Sequence, residues 1–87
     1  MPRKALDRPE LWERERVGAT IRQLREMRDI KPDAFANMVG ISRSYLVNIE
    51  AGRKPLTEGL LTRFAAALKV KPIVIIHPDV FAEPMAS

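Results

Sequence analysis

The chain has 87 residues, no cysteine and a formal net charge of +4, with an isoelectric point of about 10.0. This length fits one domain with a modest core, and the missing cysteines exclude a disulfide framework and a thiolate metal site. A basic balance suits a polyanionic partner. Apolar runs stay below the roughly 18–20 residues of a membrane span, and the N-terminus lacks the apolar core of a signal peptide. We therefore expect a cytoplasmic protein that has no contact with a membrane.

Residues 1–15 are interpreted as a basic N-terminal arm that leads into the first helix. A capping box of Asp7 and Glu10 predicts that this helix begins near Arg8, where a proline is tolerated in the first turn. Gly18 weakens a helix by roughly 1 kcal/mol. A break at this glycine, with a separate short first helix before it, is therefore the alternative.

The stretch 31–54 predicts two short helices that share one apolar side. Phe35 and Val39 are spaced i,i+4 on the first helix, so they lie on one face of it. Leu46 and Ile49 are spaced i,i+3 on the second helix and share a face in the same way. This pattern predicts that both helices pack against a common core.

A tight turn between these two helices is predicted from Gly40 and Ser42. Glycine takes the left-handed conformation at a helix C-terminus without steric cost. A serine hydroxyl at the N-cap accepts a hydrogen bond from a backbone N–H that would otherwise lack a partner. Ala36 supplies the small side chain that two steeply crossing helices need. The stretch 31–54 therefore has the pattern of a helix-turn-helix.

A last helix is predicted from Glu58 to about Leu68, with Thr57 as its N-cap. Its apolar face repeats at i, i+3, i+4 and i+7 and consists of Leu61, Phe64, Ala65 and Leu68. The basic excess of the chain is concentrated here, since residues 53–71 contain five Lys or Arg and one Glu.

Residues 71–87 are interpreted as a dimerisation element. Pro72 pushes the residue before it to extended geometry, and the β-branched run after it is typical of a buried strand: Ile73, Val74, Ile75 and Ile76. A lone strand cannot satisfy its own backbone, so we expect it to pair with the same strand of a second copy. A last core segment without strand pairing is the alternative. Trp12 is interpreted as an apolar cap on the bundle or on that partner subunit, with a contact to the DNA backbone as the alternative.

Residues 16–70 resemble the phage Cro/repressor type of helix-turn-helix domain, the XRE-like group. The resemblance depends on Arg25, the Phe35-Ala36 pair, the run from Val39 to Arg43, Leu46, Ile49-Glu50 and the run from Gly52 to Pro55. It implies an all-α fold, a compact bundle of four or five helices, to which our reading adds the short C-terminal β-strand. It also implies double-stranded DNA as the partner and a salt bridge between Arg25 and Glu50. That bridge would be structural, because each charge is costly to leave alone once it is desolvated.

The family's base-reading positions correspond to Arg43, Ser44 and Asn48. Arginine can bind the O6/N7 edge of guanine, and asparagine can bind adenine in the same bidentate manner. Val47, which is predicted to face outward beside them, could meet a thymine methyl group. A phosphate contact is the alternative for Arg43.

Phosphate contacts are predicted at helix N-termini and in the loop after the second helix of the motif. The candidates are Lys31, Ser42, Tyr45, Arg53 and Lys54. For Tyr45, partial packing is an equal alternative. The family commonly has a glutamine where this chain has Pro32, which removes that side-chain contact. Arg3 and Lys4 could enter a minor groove by analogy with homeodomain arms, although a solubilising terminus is the simpler interpretation.

Three functions agree with these features. The first is a homodimeric repressor that binds a pseudo-palindromic operator through the major groove. The second is an antitoxin that binds both DNA and a toxin protein, since some XRE-like antitoxins end in a dimerising strand. The third is a module that binds only protein. An enzyme, a metal site and a cofactor are not expected, because His77 is the single histidine and no cluster of ligands accompanies it.

Overall fold

The computed structural model describes residues 8–77, and this part of the chain consists of five α-helices. They are α1 (Arg8–Met27), α2 (Pro32–Val39), α3 (Arg43–Glu50), α4 (Glu58–Leu68) and α5 (Pro72–Ile76). The predicted all-α bundle is confirmed. The predicted arm with Arg3 and Lys4, the predicted capping residue Asp7 and the tail after His77 lie outside the described residues. In the described part, no helix is both long enough and apolar enough to cross a membrane.

The core lies where α1, α2, α3 and α4 meet. Phe35 of α2 and Phe64 of α4 are fully buried, and their rings pack edge to face with centroids 5.2 Å apart. Full burial of one large apolar side chain contributes about 1.5–3 kcal/mol, so these residues supply much of the cohesion. The other fully buried large side chains are Ile21, Leu46, Ile49, Leu68 and Ile75.

The predicted turn of the helix-turn-helix is confirmed. Gly40 follows α2 with φ of 77°, in the left-handed region, where glycine is favoured because it has no Cβ. The hydroxyl oxygen of Ser42 accepts a hydrogen bond from the backbone N–H of Tyr45 at 3.0 Å. Thr57 caps α4 in the same way through the N–H of Leu60. These local signals fix where α2 ends and where α3 and α4 begin.

The C-terminal strand predicted at residues 73–76 is wrong, because this segment forms the one-turn helix α5. Pro72 occupies the start of the helix, where its missing N–H would have no partner in any case. The N–H of His77 bonds the carbonyl of Ile73 at 2.7 Å, so the backbone is satisfied without a second strand. Ile75 enters the core and Ile73 is 43% exposed, and the helix packs against α1 and α4.

Substitutions in α5 distinguish this helix from a strand. Residues 73 and 75 would share one face of a strand, but they lie on opposite sides of a helix. We expect Ile75→Ala to cost about 2–5 kcal/mol of stability and Ile73→Ala to cost about 0.5 kcal/mol or less. Urea denaturation in dilute solution measures both values. Equal losses for the two variants would contradict the helix.

Gly18 does not interrupt α1, which runs unbroken from Arg8 to Met27. The glycine instead allows α1 to approach the end of α3. A Cβ at this position would lie 2.5 Å from the carbonyl oxygen of Glu50 and 2.8 Å from its carbonyl carbon, and it would also clash with the carbonyl of Ile49. Because these are backbone atoms, a side chain here forces the two helices apart.

Gly18→Ala should therefore destabilise the fold, although alanine is the better helix former. The overpacking penalty of roughly 1–3 kcal/mol exceeds or offsets the gain in helix propensity of about 1 kcal/mol. Gly59→Ala in α4 is the matched control, because a Cβ there meets nothing within 4 Å. We expect the midpoint of thermal unfolding to fall for Gly18→Ala and to rise for Gly59→Ala. A rise for both variants would show that the approach of α1 to α3 does not need glycine.

Candidate nucleic-acid interface

A buried ion pair between Arg25 of α1 and Glu50 of α3 fixes the position of α3. Nε of the arginine donates to one carboxylate oxygen at 2.8 Å, and Nη2 donates to the other at 3.0 Å. The two side chains are only 7% and 9% exposed. Nη1 also donates to the carbonyl of Ile30 at 2.9 Å. One guanidinium thus connects α1, the loop before α2 and the end of α3.

This environment raises the pKa of Arg25, first because of its hydrogen bonds to Glu50 and against the opposing effect of burial. A group whose pKa is raised on folding stabilises the fold below its ordinary pKa and loses that contribution only as the pH rises through the raised value. An ordinary arginine is already protonated at every pH at which proteins are usually handled. The charge of Arg25 therefore stays in place throughout the range in which DNA binding is measured.

The second helix of the motif, α3, has one buried side and one exposed side. Leu46 and Ile49 are buried in the core, so the side chains between them point away from it. Val47 is 40% exposed. Of the other candidate base readers, Arg43 and Ser44 are exposed and Asn48 is half-buried. This is the arrangement that a helix needs in order to present polar groups to a major groove.

The exposed Arg43 at the start of α3 has an acidic neighbour on α2. Its Nε lies 3.1 Å from Oδ1 of Asp33, which belongs to the first turn of α2. The two side chains remain 65% and 77% exposed, respectively. The ion pair therefore bridges the N-terminal ends of the two helices of the motif at the surface.

Asn48 is held by the loop that follows α3. Nε of Arg53 donates to its Oδ1 at 2.7 Å, and its backbone carbonyl accepts from the N–H groups of Arg53 and Lys54 at 2.8 and 3.2 Å. The amide oxygen of Asn48 has a second lone pair, and the amide nitrogen carries two protons. The side chain can therefore still form hydrogen bonds to a base while it is bonded to Arg53. Arg53, predicted only as a phosphate contact, also orients a candidate base reader.

The predicted phosphate-binding residues occupy different environments. Lys31 is exposed directly before α2 and makes no side-chain cap bond. The hydroxyl oxygen of Ser42 accepts the capping bond, so its proton remains available to donate. Tyr45 is partly buried against the core. Lys54 is exposed in the loop. Pro32 begins α2 and has no N–H to donate.

Two residues, one in the motif and one that contacts it, were not singled out by the sequence. Asp33 was missed because its partner is ten residues away and belongs to the next helix. Arg63 of α4 donates from Nη1 to the carbonyl of Val39 at 3.2 Å, where the negative end of the α2 dipole favours a cation. Its position on the polar side of α4 was the only available signal. Among the described residues, no group of three His, Cys, Asp or Glu side chains could hold a metal ion.

Two helices joined by a left-handed glycine turn, with a polar exposed face on the second, define a DNA-binding domain of the helix-turn-helix class. A family model described as "Helix-turn-helix domain" matches residues 16–74. The chain belongs to this family. The resemblance to Cro/repressor-type domains in the sequence is thereby confirmed.

Similar proteins include named regulators. The "HTH-type transcriptional regulator RamB" of Mycobacterium tuberculosis is 38% identical over 63 residues, which are 72% of this chain and 13% of RamB. The chain thus spans only a small part of the length of the curated relatives it matches. The clp gene regulator ClgR from Corynebacterium glutamicum superposes with a TM-score of 0.73 at 26% identity, covering 79% of this chain and 73% of ClgR.

A further solved structure shares the fold. The restriction-modification controller protein C.AhdI from Aeromonas hydrophila superposes with a TM-score of 0.68 at 24% identity, covering 70% of this chain and 92% of C.AhdI. At this identity the likeness concerns the fold alone.

Removing one member of the buried pair should destabilise the domain far more than replacing both members with apolar residues. We expect Arg25→Met and Glu50→Leu to cost about 3–5 kcal/mol each, because either variant leaves one buried charge without its partner. The double variant should recover most of that loss, since both charges are then absent. Urea denaturation of the four proteins completes the cycle. Additive losses in the double variant would show that the two residues act independently.

Proposed function

We propose that the chain is a sequence-specific, double-stranded DNA-binding transcriptional regulator that represses by occupying an operator. The observation that carries this proposal is the exposed side of α3. It presents Arg43, Ser44, Val47 and Asn48 on a helix whose other side is buried and whose end is held by Arg25 and Glu50. The function is binding, without catalysis.

The exposed residues of α3 match the chemistry of base edges. Arg43 has the donors to bind guanine O6 and N7, and Asn48 has the donor and acceptor to bind adenine N6 and N7. Val47 offers an apolar surface to a thymine methyl group, and Ser44 can donate or accept. We assign base reading to these four residues.

Phosphate binding is assigned to the residues that flank α3 and to the start of α2. Lys31 and Ser42 lie before helices whose N-termini favour anions, and Tyr45 can add a bond through its hydroxyl group. Arg53 and Lys54 carry positive charge on the loop after α3. Such contacts supply affinity and fix the register on the duplex without reading its sequence.

We further propose that the protein binds a pseudo-palindromic operator as a homodimer. The support no longer comes from a strand. It comes from exposed apolar side chains on α1 and α5, since Trp12 is 61% exposed and Ile73 is 43% exposed. Arg16 connects the two helices: its guanidinium lies 5.8 Å from the centre of the Trp12 ring and bonds the carbonyl of Ile76. A second copy packed at this edge would cover these side chains.

The antitoxin hypothesis has lost its basis, because it depended on a C-terminal strand and the segment is helical. No observation on the described residues favours a toxin partner.

Selection of bound sequences from a random double-stranded pool tests the proposed function. The selected sites should contain two half-sites centred about one DNA turn apart, ~34 Å. Arg43→Ala should relax the preference at one base pair of each half-site and cost roughly 1–3 kcal/mol. Lys54→Ala should weaken all sequences evenly and lower the salt dependence by about one unit.

The outcomes separate the assignments. Uniform weakening by Arg43→Ala would reduce this residue to a phosphate contact. An unchanged salt dependence in Lys54→Ala would remove the lysine from the interface. If no sequence is enriched and binding shows no salt dependence, the chain is a protein-binding module.

A further inference from the structure

Asp33 is an acidic residue on the surface that the proposed function assigns to a polyanion. It lies in the first turn of α2, and its carboxylate is 3.1 Å from Nε of Arg43. The side chain is 77% exposed, so it contributes nothing to the core. A carboxylate here also repels phosphates. Burial in the core and general DNA affinity therefore do not explain its position.

The ion pair is too exposed to stabilise the fold appreciably, because water screens both charges. A bias no larger than the small free energy of the pair still favours one arrangement of the Arg43 side chain over the others. A free arginine side chain at the start of a helix samples many rotamers, and each must be given up on binding a base. The pair with Asp33 selects among them before DNA arrives.

The atoms involved determine what remains for DNA. A guanidinium has five N–H donors, one on Nε and four on the two terminal nitrogens. The carboxylate of Asp33 lies beside Nε, so Nη1 and Nη2 point away from it and stay available as a parallel pair of donors. Two parallel donors are what the O6 and N7 acceptors of guanine require.

The carboxylate of Asp33 also competes with DNA phosphates for Arg43. Phosphate and carboxylate both bind guanidinium in the same planar geometry. An arginine already paired with Asp33 gains less from a phosphate oxygen, and the nearby negative charge repels the phosphate. Guanine carries no net charge, so it suffers less from this repulsion.

The position of Asp33 is fixed by the start of α2. Pro32 fixes the first helical position, and Lys31 before it is extended, as a residue before proline prefers. The positive end of the α2 dipole favours a carboxylate in the first turn. Asp33 is thus set on a rigid element beside the start of α3.

We propose that Asp33 is a positioning residue that sets the specificity of Arg43: it orients the guanidinium for guanine and disfavours its use on phosphate. This inference rests on the proposed function. It predicts that the wild-type protein gives up some affinity for DNA of any sequence in return for better discrimination at one base pair.

A double-mutant cycle tests the proposal. Dissociation constants are measured by fluorescence anisotropy for wild type, Asp33→Asn, Arg43→Ala and the double variant. Each protein is titrated with the selected operator, with the operator changed at the base pair whose preference depends on Arg43, and with random DNA of equal length. Glu58→Gln is the control, because it removes the same charge from the first turn of α4, a helix outside the motif.

Asp33→Asn should bind random DNA several-fold more tightly and should lose about two- to fivefold of the discrimination at that base pair, because the bias cannot exceed the free energy of an exposed ion pair. In the Arg43→Ala background, Asp33→Asn should leave the discrimination unchanged, since the two residues act as one unit. Glu58→Gln should leave the discrimination at the wild-type value.

Two results would overturn the proposal. Full discrimination in Asp33→Asn would show that Arg43 reads its base without help, and the proposed function would stand. The same loss of discrimination with and without Arg43 would mean that Asp33 acts on DNA directly. If no sequence is enriched from the random pool and binding shows no salt dependence, the proposed function fails together with this inference, so the two failures are distinguishable.

Discussion

The bidentate pair of Arg25 and Glu50 is the interaction on which the geometry of the motif depends. Helices of eight residues, such as α2 and α3, are too short to be stable alone, so their positions must come from tertiary contacts. Burial of Leu46 and Ile49 fixes the side of α3 that faces the core. It does not by itself fix the position of the helix along its axis. The guanidinium does so, because it holds the last residue of α3 and the carbonyl of Ile30 at once.

The close approach that this pair needs is made possible by Gly18. Gly18 and Arg25 are seven residues apart and thus lie on the same side of α1, and both meet the end of α3. A side chain at residue 18 would push away the backbone of Glu50, which carries the carboxylate. The glycine that reduces helix propensity therefore serves the ion pair. The low helix propensity of glycine destabilises α1 locally, but the missing side chain allows α3 to take its position.

The sequence predicted those parts of the fold that depend on local signals. The turn at Gly40, the cap at Ser42 and the bounds of α4 follow from residue types and periodicity alone, and all three are confirmed. The strand at 73–76 was wrong because β propensity reflects packing context more than the backbone itself. A proline start and a core position for Ile75 favoured a helix instead. The partners of Arg43 and Asn48 were also beyond reach, since exposed pairs between elements leave no periodic trace.

Burial separates the roles of the two arginines of the motif's frame and reading surface. Arg25 and Arg43 each pair with one carboxylate, at 2.8 and 3.1 Å. Separating Arg25 from Glu50 would leave a desolvated charge. This pair therefore stays closed and holds α1 and α3 in place as a fixed frame. The exposed pair loses little when it opens, because water takes over the hydration of both groups. It can therefore adjust when a ligand arrives, while the frame beneath it stays fixed. A reading surface needs both properties together: polar groups free to form new bonds, and a support that does not move when they do.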